Sequence, residues 1–263
     1  MKRIVIYTCI TGGYDRLSDP WCVSDDADYI CFTDNRELLH SSGSVWQYRE
    51  AGYHGTDSAN TSRYYKIMPH QLFPEYQYSL WIDGNVIIAE DGLYCRLDEM
   101  IDSGVKAAGL QHPHRDDVYD EAYRILHGRR EKLPAVMKTV SFLHRSGMPR
   151  HFGLYENNVI FRKHSDPDVV RFDEMWWEIL NRFSGRDQLS QTYCLWKTGL
   201  PYGLILPEGF NSRNHHFFKY VKHDSEYIKD KSLRGRAKDF STAFNKAVYR
   251  IWSYFANRTD NGR

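Results

Sequence analysis

The chain has 263 residues, with 35 Lys and Arg against 34 Asp and Glu and a formal net charge of +1. That balance excludes the one-signed field of a nucleic-acid-binding domain. The length suits one large α/β domain or a domain with an appendage. Aromatic residues reach 15%, with 19 Tyr and 7 Trp, whose flat apolar faces and polar tips suit partly buried core or stacking on sugars and bases.

The N-terminal MKRIVIYTCITGG enters a strand pattern over residues 3–10, closed by Gly12-Gly13. Its apolar stretch is too short and interrupted for a signal peptide. Five scattered cysteines, Cys9, Cys22, Cys31, Cys95 and Cys194, form no CxxC pair, which predicts a reduced, cytoplasmic setting. A second strand, residues 28–33, ends at Asp34. Asp57 or Ser58 caps a helix running to about Met68, stopped by Pro69.

Residues 79–88, SLWIDGNVII, predict a third strand that continues after a turn at Gly84. LYCRLDEMIDSG reads as a helix with Gly104 past its end, and VKAAGLQH as a strand. Residues 116–147 read as two helical pieces broken near Pro134. The strand LYENNVIFR, two helices (DPDVVRFDEMWWEILNRF and DQLSQTYCLWKTG) and a late strand YGLILP follow. Strands alternating with helices predict an α/β fold, a mostly parallel sheet covered on both faces. Residues 1–224 form this domain. Residues 225–263 form a basic amphipathic tail with Phe244, Val248, Ile251 and Trp252 at helical spacing. The tail packs back on the domain, lies on a membrane surface or forms a partner interface.

Asp83 poses the chemical problem. An ionised carboxylate between two apolar runs requires a cation or strong donors. Ligands in open α/β sheets bind beyond the carboxyl ends of the strands, and Thr8–Tyr14, Asp34 and Asp83–Asn85 lie at such ends. Asp83 and Asn85 offer oxygens suited to Mg²⁺ or Mn²⁺. Arg63, Lys66 and His70 share a helix face, either solvated or turned to a diphosphate. Asp187, beside Arg186, reads as a helix cap, as a base for an acceptor hydroxyl, or as a holder of sugar hydroxyls. His215 and His216 close a metal site or are structural. No GxSxG, P-loop, GxGxxG or HExxH is present.

The segments YTCITGGYD, YICFTD, SRYYKIMPH, YSLWIDGN, QHPHRDDVYDEA, GLYENNVIFR, WWEI and RDQLS, in this order over about residues 4–200, resemble the glycosyltransferase-like domain of plant mucilage-related proteins, also found in bacteria. The resemblance implies a GT-A-like, Rossmann-type mixed sheet. It implies a transferase moving a sugar from a nucleotide-diphosphate donor, a UDP-sugar first, to a glycan or lipid-linked acceptor in surface polysaccharide synthesis. Thr8, Gly12, Gly13, Tyr14 and Asp34 would hold the nucleoside, and Arg63 and Lys66 the diphosphate. Asp83 and Asn85 occupy the place of a metal-binding DxD, with His215 or His216 as a third ligand for Mn²⁺ or Mg²⁺. His112, Arg115, Arg186 and Gln188 would line the donor-sugar and acceptor side, and Asp187, Asn157 and Glu156 would carry catalysis. Asn85 departs from DxD, so the metal is held more loosely or Arg63 and Lys66 take its place. A metal-assisted hydrolase and a degenerate nucleotide- or glycan-binding module are the alternatives. The tail would place the enzyme peripherally at the inner face of a membrane.

Overall fold

The computed structural model describes residues 3–13, 16–128, 130–222 and 233–260. In chain order the elements are β1 (Ile4–Ile10), β2 (Ala27–Thr33), α1 (Arg36–Leu39), β3 (Gln47–Glu50), α2 (Ser58–Ile67), α3 (Pro69–Leu72), β4 (Tyr78–Ile82), β5 (Val86–Ile88) and α4 (Gly92–Asp102). They continue with β6 (Ala107–Gln111), α5 (Val118–His127), α6 (Leu133–Arg145), β7 (Tyr155–Arg162), α7 (Pro167–Arg182), α8 (Asp187–Thr198), β8 (Gly203–Leu204), β9 (Phe218–Tyr220) and α9 (Leu233–Asp260).

Among the described residues, seven strands form one sheet in the order β3-β2-β1-β4-β7-β6-β8. Strands β3, β2, β1 and β4 run parallel, and β7 is antiparallel to both β4 and β6. This is the mixed, mostly parallel sheet flanked by helices that the strand–helix alternation predicts. Apolar side chains cover both faces. Tyr7, Trp81, Phe172 and Trp176 pack on one side. Ile6, Leu80, Leu93, Leu97 and Phe161 pack on the other. Strands buried on both faces read as the continuous apolar runs seen in β1 and β4.

The residues VII after Gly84 do not extend β4. They leave the main sheet and pair antiparallel with β9 as a separate two-stranded ribbon. Pro134 stands at the start of α6 rather than breaking a longer helix, a position where its missing N–H is not needed. The edge strand β3 is an addition to the predicted elements: QYRE is short and polar, and only its pairing with β2 defines it.

Three features build the site edge. Parallel register places Ile10 opposite Thr33 and Tyr7 opposite Trp81, so β1, β2 and β4 finish together. Because β7 runs the other way, its first residues lie at that same edge, and the Asp83 N–H donates to the Asn158 carbonyl at 2.8 Å. Helix α2, capped by Asp57, whose side chain accepts from the Asn60 N–H, brings Arg63 and Lys66 over the end of β4.

Helix α9 docks on α5 and α6. The Tyr249 hydroxyl donates to the Tyr119 carbonyl at 2.7 Å, and His144 bonds the Ala256 carbonyl at 3.2 Å. No helix among the described residues is long and apolar enough to cross a membrane.

Candidate active site

A cleft of about 380 Å³ opens where β1 and β4 end. Thr11, Gly12, Ser58, Ser62 and Arg63 line it, together with Lys66, Trp81, Asp83, Arg186 and Asp187. The carboxylate between two apolar runs has found both kinds of partner its chemistry demands. The Lys66 ammonium lies 2.9 Å from Asp83 Oδ1, and the Trp81 indole N–H donates to that same oxygen at 2.7 Å. The Asp83 side chain is 33% exposed, so it faces the cleft and not a sealed interior.

Lys66 joins two carboxylates, its ammonium also lying 3.2 Å from Asp187 Oδ2. Burial works against the ammonium, but the Asp83 and Asp187 charges overcome it and raise its pKa. Burial likewise works against the Asp187 carboxylate. Lys66, Arg63 and Arg186 outweigh it and hold the group well below the usual carboxylate range. Asp187 is the first residue of α8 and follows Arg186 at the N-cap. Its Oδ1 accepts from the Gln188 N–H at 3.1 Å, a favourable place for negative charge at a helix N-terminus. Gln188 enters the cluster through this backbone N–H.

The main chain of Lys66 is held from beneath, between α2 and the sheet. Arg162, fully buried, donates to the carbonyls of Lys66 and Ile67 and to the Tyr7 hydroxyl, and pairs with Asp173 at 2.8 Å. Tyr7 in turn donates to the Lys66 carbonyl at 3.1 Å. His70 turns to α7, 4.0 Å from both Asp173 and Glu174, so the basic stripe divides after Lys66.

Beyond the ends of β1 and β2, the Gly12 N–H donates to both Asp34 oxygens at 3.1 and 3.0 Å. Gly12 (φ 67°) and Gly13 (φ 64°) are left-handed, and a Cβ at Gly12 would meet Ser58 Oγ at 2.6 Å. Glycine is therefore required for α2 to approach the loop. Thr8 lies inside β1, buried with its hydroxyl unbonded, behind Thr11, which lines the cleft. Tyr14 lies outside the described residues.

A second polar group gathers at the start of β7. Arg213 donates to Glu156, and Asn158 donates to Ser212 Oγ at 2.7 Å. Burial raises the Glu156 pKa against the pull of Arg213. Asn157 is buried with neither amide atom hydrogen-bonded. His112 and Arg115 close on each other: the Arg115 Nε donates to Glu121 at 2.6 Å, and His112 Nε2 lies 3.7 Å from the same carboxylate. Burial, with the charges of Arg115 and His114, pushes His112 down to about 4.

The four residues expected to ligate a metal are not brought together. The Asn85 amide donates to the Val221 carbonyl at 3.1 Å. The register of β5 and β9 puts Phe218 opposite Ile88, so His215 and His216 sit beyond the far end of β5. There their rings stack at 4.3 Å, beside Phe210 and Phe217. Among the described residues no group of three His, Cys, Asp or Glu side chains is arranged to hold a metal ion. An ammonium, not a second carboxylate, stands against Asp83, and this donor set does not fit Mn²⁺ or Mg²⁺.

Trp81, Ser58, Ser62, Glu121, Arg162 and Arg213 are additions to the predicted site. Only Arg162 carries a sequence signal, a charge closing an apolar strand as Asp83 does.

The chain is similar to known proteins. The chain is 27% identical over 212 residues to a probable hexosyltransferase, MUCI70, of Arabidopsis thaliana, covering 72% of this chain and 36% of that protein. The chain thus spans about a third of the length of that relative. Similar solved structures include the apo bifunctional glycosyltransferase WbbM (11% identical, TM-score 0.41, 78% of this chain and 38% of that one). Another is apo mouse xyloside xylosyltransferase 1 (10%, TM-score 0.46, 77% and 84%). The family model described as "TOD1/MUCI70, glycosyltransferase-like domain" matches residues 1–223, and the chain belongs to that family.

Proposed function

We propose that this glycosyltransferase-like domain transfers a sugar from a nucleoside diphosphate donor, UDP-linked in the first instance, to a hydroxyl of a glycan or lipid-linked acceptor in surface polysaccharide synthesis. One observation carries the reading: Arg63, Lys66 and Arg186 converge on the cleft at the end of β4. The Arg186 Nε there is buried without a hydrogen-bond partner. Bond cleavage leaves negative charge on the departing diphosphate, and preorganised cations in a site shielded from water stabilise that charge as it develops. In this reading Thr11, Gly12, Gly13 and Asp34 receive the nucleoside, and Arg63, Lys66 and Arg186 the diphosphate. Asp83 and Asn157 meet the sugar hydroxyls. His112 and Arg115, braced by Glu121, shape the acceptor side.

The ion pair with Lys66 lowers the proton affinity of Asp187 and weakens it as a base. Glu156, whose proton affinity burial raises, is the better acceptor for the proton of an attacking hydroxyl in an inverting reaction. Asp187 keeps Lys66 charged and in place.

The tail supports a peripheral location. Phe244, Ile251 and Tyr254 are each more than half exposed on α9, spaced to share one face, with Lys246 and Arg250 beside them. Such a face suits an anionic lipid surface, here the cytoplasmic one, in keeping with five free cysteines.

Incubating the chain with UDP-, GDP- and CDP-sugars, with and without candidate acceptors, tests the reading. We expect slow donor hydrolysis with one nucleotide, accelerated or diverted to transfer by acceptor. Product release that acceptors leave unchanged would favour the hydrolase, and binding without turnover the degenerate module. Failure of every nucleotide to bind would remove the proposal.

A further inference from the structure

Resting on the donor-site reading above, we infer that the Lys66 ammonium takes the place of the divalent cation, so that the cleft binds a nucleoside diphosphate without metal. Asp83 and Asp187 then serve as counter-charges that hold the ammonium in place.

Four observations converge on this. First, the Lys66 side chain is only 9% exposed and its ammonium touches both carboxylates, at 2.9 and 3.2 Å. A Mg²⁺–oxygen bond is about 2.1 Å long, so an ion on the same Asp83 oxygen would sit beside a like charge in a poorly screened site. Second, that oxygen already accepts from Trp81, and Lys66 lies over the Trp81 ring, 5.2 Å from its centroid. Third, the carbonyl of Lys66 is gripped by both Arg162 and Tyr7, so the residue is anchored at the end of α2. Fourth, three cations and two carboxylates line the cleft, leaving one positive charge in excess for a dianionic diphosphate. A metal-dependent site of this kind would need acidic excess before the ion arrived.

The two accounts part over Asp83. If it ligates a metal, neutralising it removes nucleotide binding. If it counter-charges Lys66, neutralising it unmasks the ammonium and tightens the grip on the diphosphate.

The test is isothermal titration of the full chain, stripped with EDTA, with UDP and with GDP, repeated in Mn²⁺. We expect binding in EDTA, with Mn²⁺ changing the Kd by less than about threefold. Asp83→Asn should bind the nucleotide at least as tightly as the parent. Lys66→Met should lose roughly tenfold or more in affinity, with Lys66→Arg regaining part of it. Should Lys66→Met fail to fold, Asp83→Asn decides alone. Binding seen only with Mn²⁺, or abolished by Asp83→Asn, overturns the inference and leaves the donor-site reading standing. No nucleotide bound under either condition overturns both.

Discussion

Two ion-paired clusters share one residue. On the cleft side the Lys66 ammonium meets Asp83 and Asp187, and Asp83 is 33% exposed. On the sealed side Arg162 and Asp173, both with wholly buried side chains, pair at 2.8 Å and clamp the Lys66 carbonyl. The charges are of the same kind and their settings differ. A sealed pair repays its desolvation only while both partners are present. The open cluster has a wall missing, where a ligand's charge can enter. Burial thus separates a group that maintains the fold from one available for chemistry, although a single turn of α2 serves both.

Substitutions sharpen or break this contrast. The largest effect is expected at Arg162→Met, which leaves Asp173 buried and unpaired and should lower stability by about 3–5 kcal/mol in chemical denaturation. A loss under about 1 kcal/mol would erase the distinction between the two clusters. Lys66→Met should cost about 10²–10³ in kcat, or about 2.7–4 kcal/mol of transition-state stabilisation. Its stability loss should be smaller than that of Arg162→Met, because Asp187 keeps Arg63 and Arg186 nearby. Equal damage to fold and to turnover would count against a chemical role for the open cluster.

Acidity probes the buried histidines. Burial and neighbouring positive charges push both His112 and His164 down to about 4 from 6.5. The unfolded chain therefore binds more protons between those values, and stability falls as the pH drops from 6.5 towards 4. Unfolding free energies at pH 5 and pH 7 should differ by about 2 kcal/mol for each ring, and identical values would contradict the burial of these rings. Smaller still, Gly12→Ala should cost about 1–2 kcal/mol for its left-handed backbone, and the clash with Ser58 should weaken nucleotide binding further. Finally, replacing Phe244, Ile251 and Tyr254 with Ser should leave donor hydrolysis unchanged and abolish flotation with anionic liposomes. Unaltered flotation would remove the membrane reading.

Much of the frame is written in local patterns. The apolar runs of β1, β2 and β4, the Asp57 cap and the glycine past α4 all declare themselves along the chain. Asp83 was conspicuous because a charge interrupts an apolar run. What escaped the sequence depends on three-dimensional pairing. Lys66 and Asp187 lie 121 positions apart, and no local signal says that the lysine bridges two carboxylates. The direction of β7 is a matter of topology that an apolar segment leaves open, so the shared edge of Asn157 and Asp83 appears only in the fold. His215 and His216 look like ligands by type. The register of a three-residue ribbon carries them away from Asp83.

The central claim is that the cations beside Asp83 grip the pyrophosphate of an activated sugar. A crystal structure of the chain with UDP tests it most directly. Diphosphate oxygens within hydrogen-bonding reach of Lys66 Nζ and of Arg63 or Arg186, with the uracil towards Gly12 and Asp34, are the predicted result. A nucleotide seated elsewhere, with the Lys66–Asp83–Asp187 cluster closed and untouched, would contradict the account.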